Sequence, residues 1–351
     1  MTDAGVFLAA ALATLLLGKP VIGWLAGIRA RQTIYAYAPE THRAKEGTPT
    51  MGGLLLMLGV VVGLTVWGWQ TRETLVPMLV IFAGAVWFAF IGLLDDYWIR
   101  RWTGQRGLEW KQKLGLQLVA AGLSVYVLWL VASGAEAAES LLGLASEDTA
   151  QLPLNLLTFG LGVLWVVGWV NAFNLTDGLD GLAAGLTALA MMGVYAIGAG
   201  QGGWMSYALM VAGACVGYLW WNVHPARVFM GDTGSMFLGA SFGLLTLRYL
   251  LTAPEWQAWG AFVLVGGVFA VEILSVVVQL SSVKLRGGKR IFRATPIHHH
   301  FELLGWAEPT VVMRFWLAGA IAAACGVSVC RWCGSFERVH EQASGGDWRG
   351  A

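Results

Sequence analysis

The stretch Leu75-Val-Pro-Met-Leu-Val-Ile-Phe-Ala-Gly-Ala-Val-Trp-Phe-Ala-Phe-Ile-Gly-Leu-Leu-Asp-Asp96 decides the architecture. Its first twenty residues, 75–94, carry no charge. A helix of about 20 residues at about 1.5 Å per residue spans the roughly 30 Å hydrocarbon core of a bilayer. Two adjacent carboxylates then close the run. Comparable uncharged runs are Met51–Thr71, Leu114–Ala135 and Thr149–Thr176. Gly181–Val223 is long enough for two helices, and the glycine-rich residues 198–203 are the natural turn between them. Ala4–Gly27 is a further span, interrupted by Lys19 and Pro20. Ser235–Leu250, Trp256–Leu280 (with Glu272 inside) and Val311–Cys330 complete the set. The expected fold is an all-α integral membrane protein of about ten transmembrane helices.

Composition agrees. The 351 residues are 57% hydrophobic and 12% charged, where a soluble domain carries about 25% charged residues. The first apolar run follows an acidic start and lacks a clear small-residue cleavage site, so it reads as a retained helix and not a signal peptide. No internal repeat is evident. The expected organisation is one membrane domain, residues 1–332, followed by a mobile extracytoplasmic tail, residues 333–351. Cys215 and Cys325 lie in apolar spans and read as packing residues. Cys330 and Cys333 form a single C-x-x-C without the second ligand pair of a zinc site.

Lys and Arg are distributed unevenly. Fifteen of them fall in the odd-numbered loops, from Arg29 to Arg293, and two, Arg72 and Arg248, in the even-numbered ones. The positive-inside rule places the odd loops in the cytoplasm. Those loops hold Thr48–Pro49–Thr50, Asp95–Asp96, Asn174–Asp177–Asp180, Asn222–Asp232 and His298–His299–His300. Chemistry at a cytoplasmic bilayer surface is therefore expected, with no nucleic-acid partner.

Each motif has a bland reading and a sharper one. Asp95 and Asp96 sit at a helix C-terminus, where the macrodipole is unfavourable to anions. Two carboxylates there call for a compensating cation, and hard divalent ions take oxygen ligands. Asn174, Asp177 and Asp180 recur at i, i+3, i+6, which on a helix keeps them near one face. N-capping of the next span explains one of the three. Asp232 either caps a helix or belongs, with Gly231, Gly234 and Ser235, to a turn that cradles phosphate. Phe229 is a packing residue or a stacking surface. The basic run from Lys284 to Arg293 is positive-inside charge or a pyrophosphate contact. Three successive His side chains diverge too much to share one metal, so the triple His suits anion binding or proton transfer.

Taken together, KEGTPTMGG (45–53), FIGLLDDY (90–97), NAFNLTDGLDGLAAG (171–185), VFMGDTGSMFLGA (228–240) and KLRGGKRIFRATPIHHHFELLGW (284–306) resemble the polyprenyl-phosphate N-acetylhexosamine-1-phosphate transferase superfamily. Within it they resemble the phospho-N-acetylmuramoyl-pentapeptide-transferase branch, which the PIHHHFE segment distinguishes from its relatives. The resemblance spans nearly the whole chain. It implies a homodimer in the bacterial inner membrane and an Mg²⁺-dependent transfer from UDP-N-acetylmuramoyl-pentapeptide to undecaprenyl phosphate. It also implies residue roles. Asp95 would deprotonate or orient the lipid phosphate. Asp96, Asp177 and Asp232 would form the metal site. Lys45, Thr50, Asn174, Asp180, Asn222, Phe229 and Gly231 would surround the nucleotide. Lys111, Lys113, His298, His299 and His300 would hold phosphates or the sugar, with His299 catalytic and Gln279 near that loop. One position departs from the pattern: Ile99, followed by Arg100, stands where the family has Lys. A GlcNAc-1-phosphate transferase is the near alternative. A transporter is the distant one, disfavoured because the acidic clusters sit at span ends and not at the midplane.

Overall fold

The computed structural model describes residues 2–28, 47–71, 75–99, 107–133, 153–253 and 255–344. In chain order its helices are α1 (Thr2–Gly27), α2 (Gly53–Gln70), α3 (Val76–Leu93), α4 (Trp110–Ala132), α5 (Leu156–Thr176), α6 (Leu182–Ile197), α7 (Ser206–Asn222), α8 (Gly231–Thr252), α9 (Trp256–Val265), α10 (Gly267–Leu285), α11 (Ile297–Glu302) and α12 (Glu308–Ser344). A π-helical turn, Leu94–Ile99, extends α3, and a 3₁₀ turn, Gly203–Met205, precedes α7. There is no strand among the described residues.

Among the described residues, eight helices are long and apolar enough to cross a membrane: α1 to α5, α8, α10 and α12. Ten spans were expected, and eight qualify by length and composition among the described residues, with shorter apolar helices beside them. Gly181–Val223 divides into two helices as expected, but α6 and α7 are only 16 and 17 residues long. The expected span Trp256–Leu280 is broken at Gly266 into α9 and α10. A Cβ at Gly266 would lie 2.4 Å from the Trp169 ring, so the indole presses against bare backbone at the break. Around it Trp169 meets Phe242 edge-on and Phe173 stacks on Phe269, locking α5 against α8 and α10. Helix α12 continues to Ser344, well into the segment expected as a tail; residues 345–351 lie outside the described set.

Helix α8 is the central pillar, packed by α2, α3, α4 and α5. All of its most apolar window is buried, against at most 50% for any other span. Two close approaches bring the functional loops to its N-terminus. A Cβ at Gly53 would lie 2.2 Å from the Gly234 Cα, and one at Gly92 would lie 2.4 Å from the Asp232 backbone. Only glycine lets backbones meet so closely. The second approach sets the end of α3, with Asp95 and Asp96, directly against the start of α8.

Candidate active site at the motif-bearing end of the bundle

The carboxylates at the end of α3 lie beyond the last α-helical turn, in the π-helical turn. Asp96 is turned away from the negative end of its own helix. Its Oδ2 accepts the Thr233 N–H at 3.0 Å and the Thr233 hydroxyl at 2.9 Å. It thus caps the positive end of α8 from outside, where a carboxylate is stabilised. The cap residue of α8 itself, Met230, makes no side-chain cap. Asp232 is not spent on capping. Its carboxylate faces Lys113 and Asn174, with the Asn174 amide donating to Oδ1 at 2.8 Å. Asp95 Oδ1 accepts the Leu108 N–H at 2.5 Å.

Lys113, near the start of α4, joins these pieces. Its ammonium lies 3.3 Å from Asp95 Oδ2, contacts Asp232 Oδ2 and reaches Asn174 Oδ1 at 3.4 Å. Ser235 supports Asn174 from one turn further along α8, at 2.9 Å. Three stretches far apart in sequence therefore converge on one cation. Lys113 compensates Asp95 and Asp232, whereas Asp96 rests on the positive end of α8. Arg100 lies outside the described residues. Lys111, two residues before Lys113, is exposed, with its ammonium 5.6 Å from the Trp110 ring centre.

The loop before α2 supports this floor. Phe229 N–H donates to Pro49 O, and the N–H groups of Gly52 and Gly53 donate to Phe229 O and Met230 O, at 2.8, 2.8 and 3.1 Å. The Thr-Pro-Thr-Met-Gly-Gly segment is thus a backbone splint for Val-Phe-Met-Gly-Asp. Thr50 is buried, and Gly231 has a positive φ of 68°. A Cβ on Gly231 would lie 2.6 Å from Asp96 Oδ2 and 2.8 Å from Thr50 Oγ1. Lys45 lies outside the described residues.

The expected single face for Asn174, Asp177 and Asp180 does not form. Helix α5 ends at Thr176, Asp177 is its C-cap, and Gly181 in the left-handed region starts α6 without a side-chain cap. The expected N-capping role is thus taken by none of the three. Asn174 remains on the helix with the Lys113 cluster, while the turn carries Asp180 into a second constellation. There Asp180 Oδ2 accepts from Ala226 N–H and lies 3.1 Å from His224 Nδ1, and Glu308 Oε1 accepts the Asp180 N–H at 2.8 Å. Asn222 closes it, accepting from Gly181 N–H and donating to Val228 O. Ligand atoms of Asp180, His224 and Glu308 all lie within 4.8 Å of one another.

The three histidines diverge as neighbours on a chain must. His298 is fully buried, with Nδ1 3.1 Å from Glu272, itself fully buried on α10. Burial holds the His298 imidazole below its ordinary pKa, against the opposing pull of Glu272. His299 Nδ1 lies 2.7 Å from Glu302 Oε2. His300 Nδ1 accepts the Arg293 N–H at 3.1 Å. Of the three, His299 and His300 are part-exposed, whereas His298 has no free surface. Gln279 is likewise committed: its oxygen accepts from Ile291 and Phe292 N–H, and its amide donates to Phe292 O. It holds up the loop after α10. Sequence reasoning had Ser235 in the expected phosphate-cradling turn and missed Thr233, His224 and Glu308. Thr233 directly follows Asp232, a signal that was readable; His224 and Glu308 gave none.

Comparison with known proteins agrees with this geometry. Residues 78–250 match the model of glycosyl transferase family 4. Residues 45–55, the splint, match signature 1 of phospho-N-acetylmuramoyl-pentapeptide-transferase. Proteins of that name are 41% identical in Moorella thermoacetica (91% of this chain, 95% of the relative), 37% in Thermodesulfovibrio yellowstonii (88% and 87%) and 39% in Shouchella clausii (91% and 95%). Likeness of this degree runs along nearly the full length of both chains and includes every loop that builds the Lys113 cluster, and so the chain belongs to the phospho-N-acetylmuramoyl-pentapeptide-transferase family.

Proposed function

We propose that this chain transfers phospho-N-acetylmuramoyl-pentapeptide from its UDP-linked precursor to undecaprenyl phosphate, releasing UMP, at the cluster of Asp95, Asn174 and Asp232 around Lys113, with Asp96 alongside on Thr233. The observation that carries the reading is the convergence of three carboxylates and one ammonium at the ends of membrane spans. A lipid phosphate held in the leaflet and a soluble nucleotide can meet only at such an end. The excess of Lys and Arg in the loops at this end supports a cytoplasmic orientation, and with it the inner membrane of a bacterium.

The reaction is a displacement at phosphorus. An oxygen of the lipid phosphate attacks the sugar-bearing phosphorus, a P–O bond forms, and the bond to UMP breaks. Such transfer is mainly positioning and charge neutralisation. In this reading Asp95, pinned by Leu108 N–H and Lys113, orients the lipid phosphate and accepts its proton. Lys113 takes up negative charge as the phosphates enter. Asp180 and Asn222 lie at the nucleotide side with Phe229, and His299 and His300 face the phosphates or the sugar.

Two places suit a divalent cation. Asp96 and Asp232, with Asp177 three residues after Asn174, offer only oxygen, which Mg²⁺ prefers; the Lys113 ammonium beside Asp232 already marks this as a cation position. The constellation of Asp180, His224 and Glu308 includes a nitrogen and suits a softer ion better. We therefore assign Mg²⁺ to the first. Bound there, Mg²⁺ supplies charge neutralisation for the diphosphate. A homodimer completes the reading.

The test is UMP release by purified protein given UDP-N-acetylmuramoyl-pentapeptide, undecaprenyl phosphate and Mg²⁺, beside Asp96→Ala. Release that depends on lipid and Mg²⁺ and is lost in the variant is expected. Product formed with UDP-GlcNAc and not with the muramoyl pentapeptide would refute the assignment.

A further inference from the structure

One polar pair lies deeper in the bundle than the cluster. Gln117 follows Lys113 by one helical turn on the same face of α4. Asn171 precedes Asn174 by one turn on the same face of α5. The Asn171 amide donates to Gln117 Oε1 at 2.8 Å and to Val167 O at 2.8 Å. The Lys113 to Asn174 bond at 3.4 Å forms the next rung toward the site. Two rungs thus tie α4 to α5, and the upper one ends on Asp232 through Asn174.

Gln117 is costly where it stands. It is 1% exposed inside a membrane-spanning helix, and its Nε2 has no hydrogen-bond partner among the described residues. Buried polar groups are nearly always satisfied, because an unmade bond in a low-dielectric interior carries the full desolvation cost. An apolar residue would pack there without that cost. The return on the polar residue lies in direction: a hydrogen bond fixes the register and rotation of two helices, whereas apolar contacts tolerate sliding. Lys113 needs that precision, since it must meet acceptors on α3, α5 and α8 at once.

We propose that Gln117, through Asn171, is a positioning residue for the transfer reaction: it sets the register of α4 on α5 that places Lys113 and Asn174 against Asp232. The inference rests on the assignment of transfer to that cluster. Its consequence is a defect in turnover and not in substrate affinity.

The experiment compares wild type with Gln117→Met, Asn171→Leu and the double variant, by UMP release and by thermal unfolding in detergent. Each single variant leaves one polar partner stranded, so both lose stability. The double variant replaces both partners with apolar groups of similar volume and regains stability. The expected result is a drop in kcat of at least tenfold in Gln117→Met, with KM for the nucleotide within twofold of wild type. The double variant should melt near wild type yet stay at least tenfold slow. Should a single variant fail to fold, the double variant carries the test. A stable double variant with wild-type kcat would reduce the pair to packing and overturn the proposal. A raised KM with intact kcat would also overturn it, making Gln117 a substrate contact. Absence of UMP release from wild type would instead defeat the underlying assignment of transfer, a result distinct from active wild type with equally active variants.

Discussion

Replacing Lys113 by Met removes one charge from the centre of the site and keeps an unbranched stem of similar length. The ammonium lies 3.3 Å from Asp95 and closer to Asp232, and its side chain is 16% exposed. At such a separation and an effective dielectric of about 20, each attraction is worth roughly 5 kcal/mol. Repulsion between the two carboxylates and desolvation of the ammonium oppose this, so the net cost approaches that of stripping one partner from a buried pair, roughly 3–5 kcal/mol. If about 3–4 kcal/mol of it is expressed in the transition state, kcat/KM falls roughly 100- to 1,000-fold. The assay is initial-rate UMP release over a range of Mg²⁺ concentrations. A second signature follows from the same geometry. Without the ammonium the carboxylates rely on the divalent cation alone, so half-saturation by Mg²⁺ should occur at a lower concentration even as turnover collapses. Lys113→Arg should not restore the rate, because a planar guanidinium cannot act as a point charge among three acceptors. Activity of Lys113→Met within threefold of wild type, in protein that remains monodisperse, would refute the reasoning.

Three other outcomes are expected. Asp96→Asn keeps an acceptor for Thr233 but loses the charge at the N-terminus of α8, so stability should fall by only about 0.3–1 kcal/mol while UMP release is lost; an active variant would remove Asp96 from the metal site. Gly178→Ala should cost roughly 1–3 kcal/mol from overpacking, since its Cβ would lie 2.3 Å from His298 Nε2; His298→Ala in the same chain should recover part of the melting temperature, and no recovery would contradict the contact. His298 also sets a pH dependence. Its folded pKa lies below the unfolded value of about 6.5. Below that pH the unfolded chain takes up a proton the folded chain refuses, so stability falls on acidification and is unaffected above it. Melting temperatures from pH 7.5 to 5 should fall less steeply in His298→Gln than in wild type; equal slopes would show that another group controls the acid limb.

The uncharged runs announced the bundle because bilayer thickness and helix rise leave little freedom in length. The break at Gly266 was less legible: a Gly-Gly pair stood in the run, but its effect depends on Trp169, almost a hundred residues earlier. In the site, the carboxylates were visible as types and their duties were not. Asp96 looked misplaced at a helix C-terminus until folding put it on the N-terminus of another helix. The i, i+3, i+6 spacing failed at Asp177 and Asp180 because the helix stops at Thr176, and no local signal forced it to continue. Lys111 and Lys113 were equivalent in sequence, and only the rotation of α4 distinguishes an exposed ammonium from the one the site needs.

The burial of α8 has a consequence for how the protein enters its membrane. This helix has the lowest mean hydropathy of the eight spans, 1.3, carries Asp232 in its first turn and contains the fully buried Arg248. An Arg at a helix centre costs about 2.5–3.5 kcal/mol on insertion scales. Arg248, expected in a loop, sits one turn from the end of α8 and costs less, but with the low hydropathy it still makes α8 a weak candidate for partitioning into lipid alone. It emerges from the ribosome after α2 to α5, the helices that enclose it. The order of the chain thus lets earlier spans receive the one that carries the chemistry, and a nascent chain lacking α3 or α5 should leave α8 outside the bilayer.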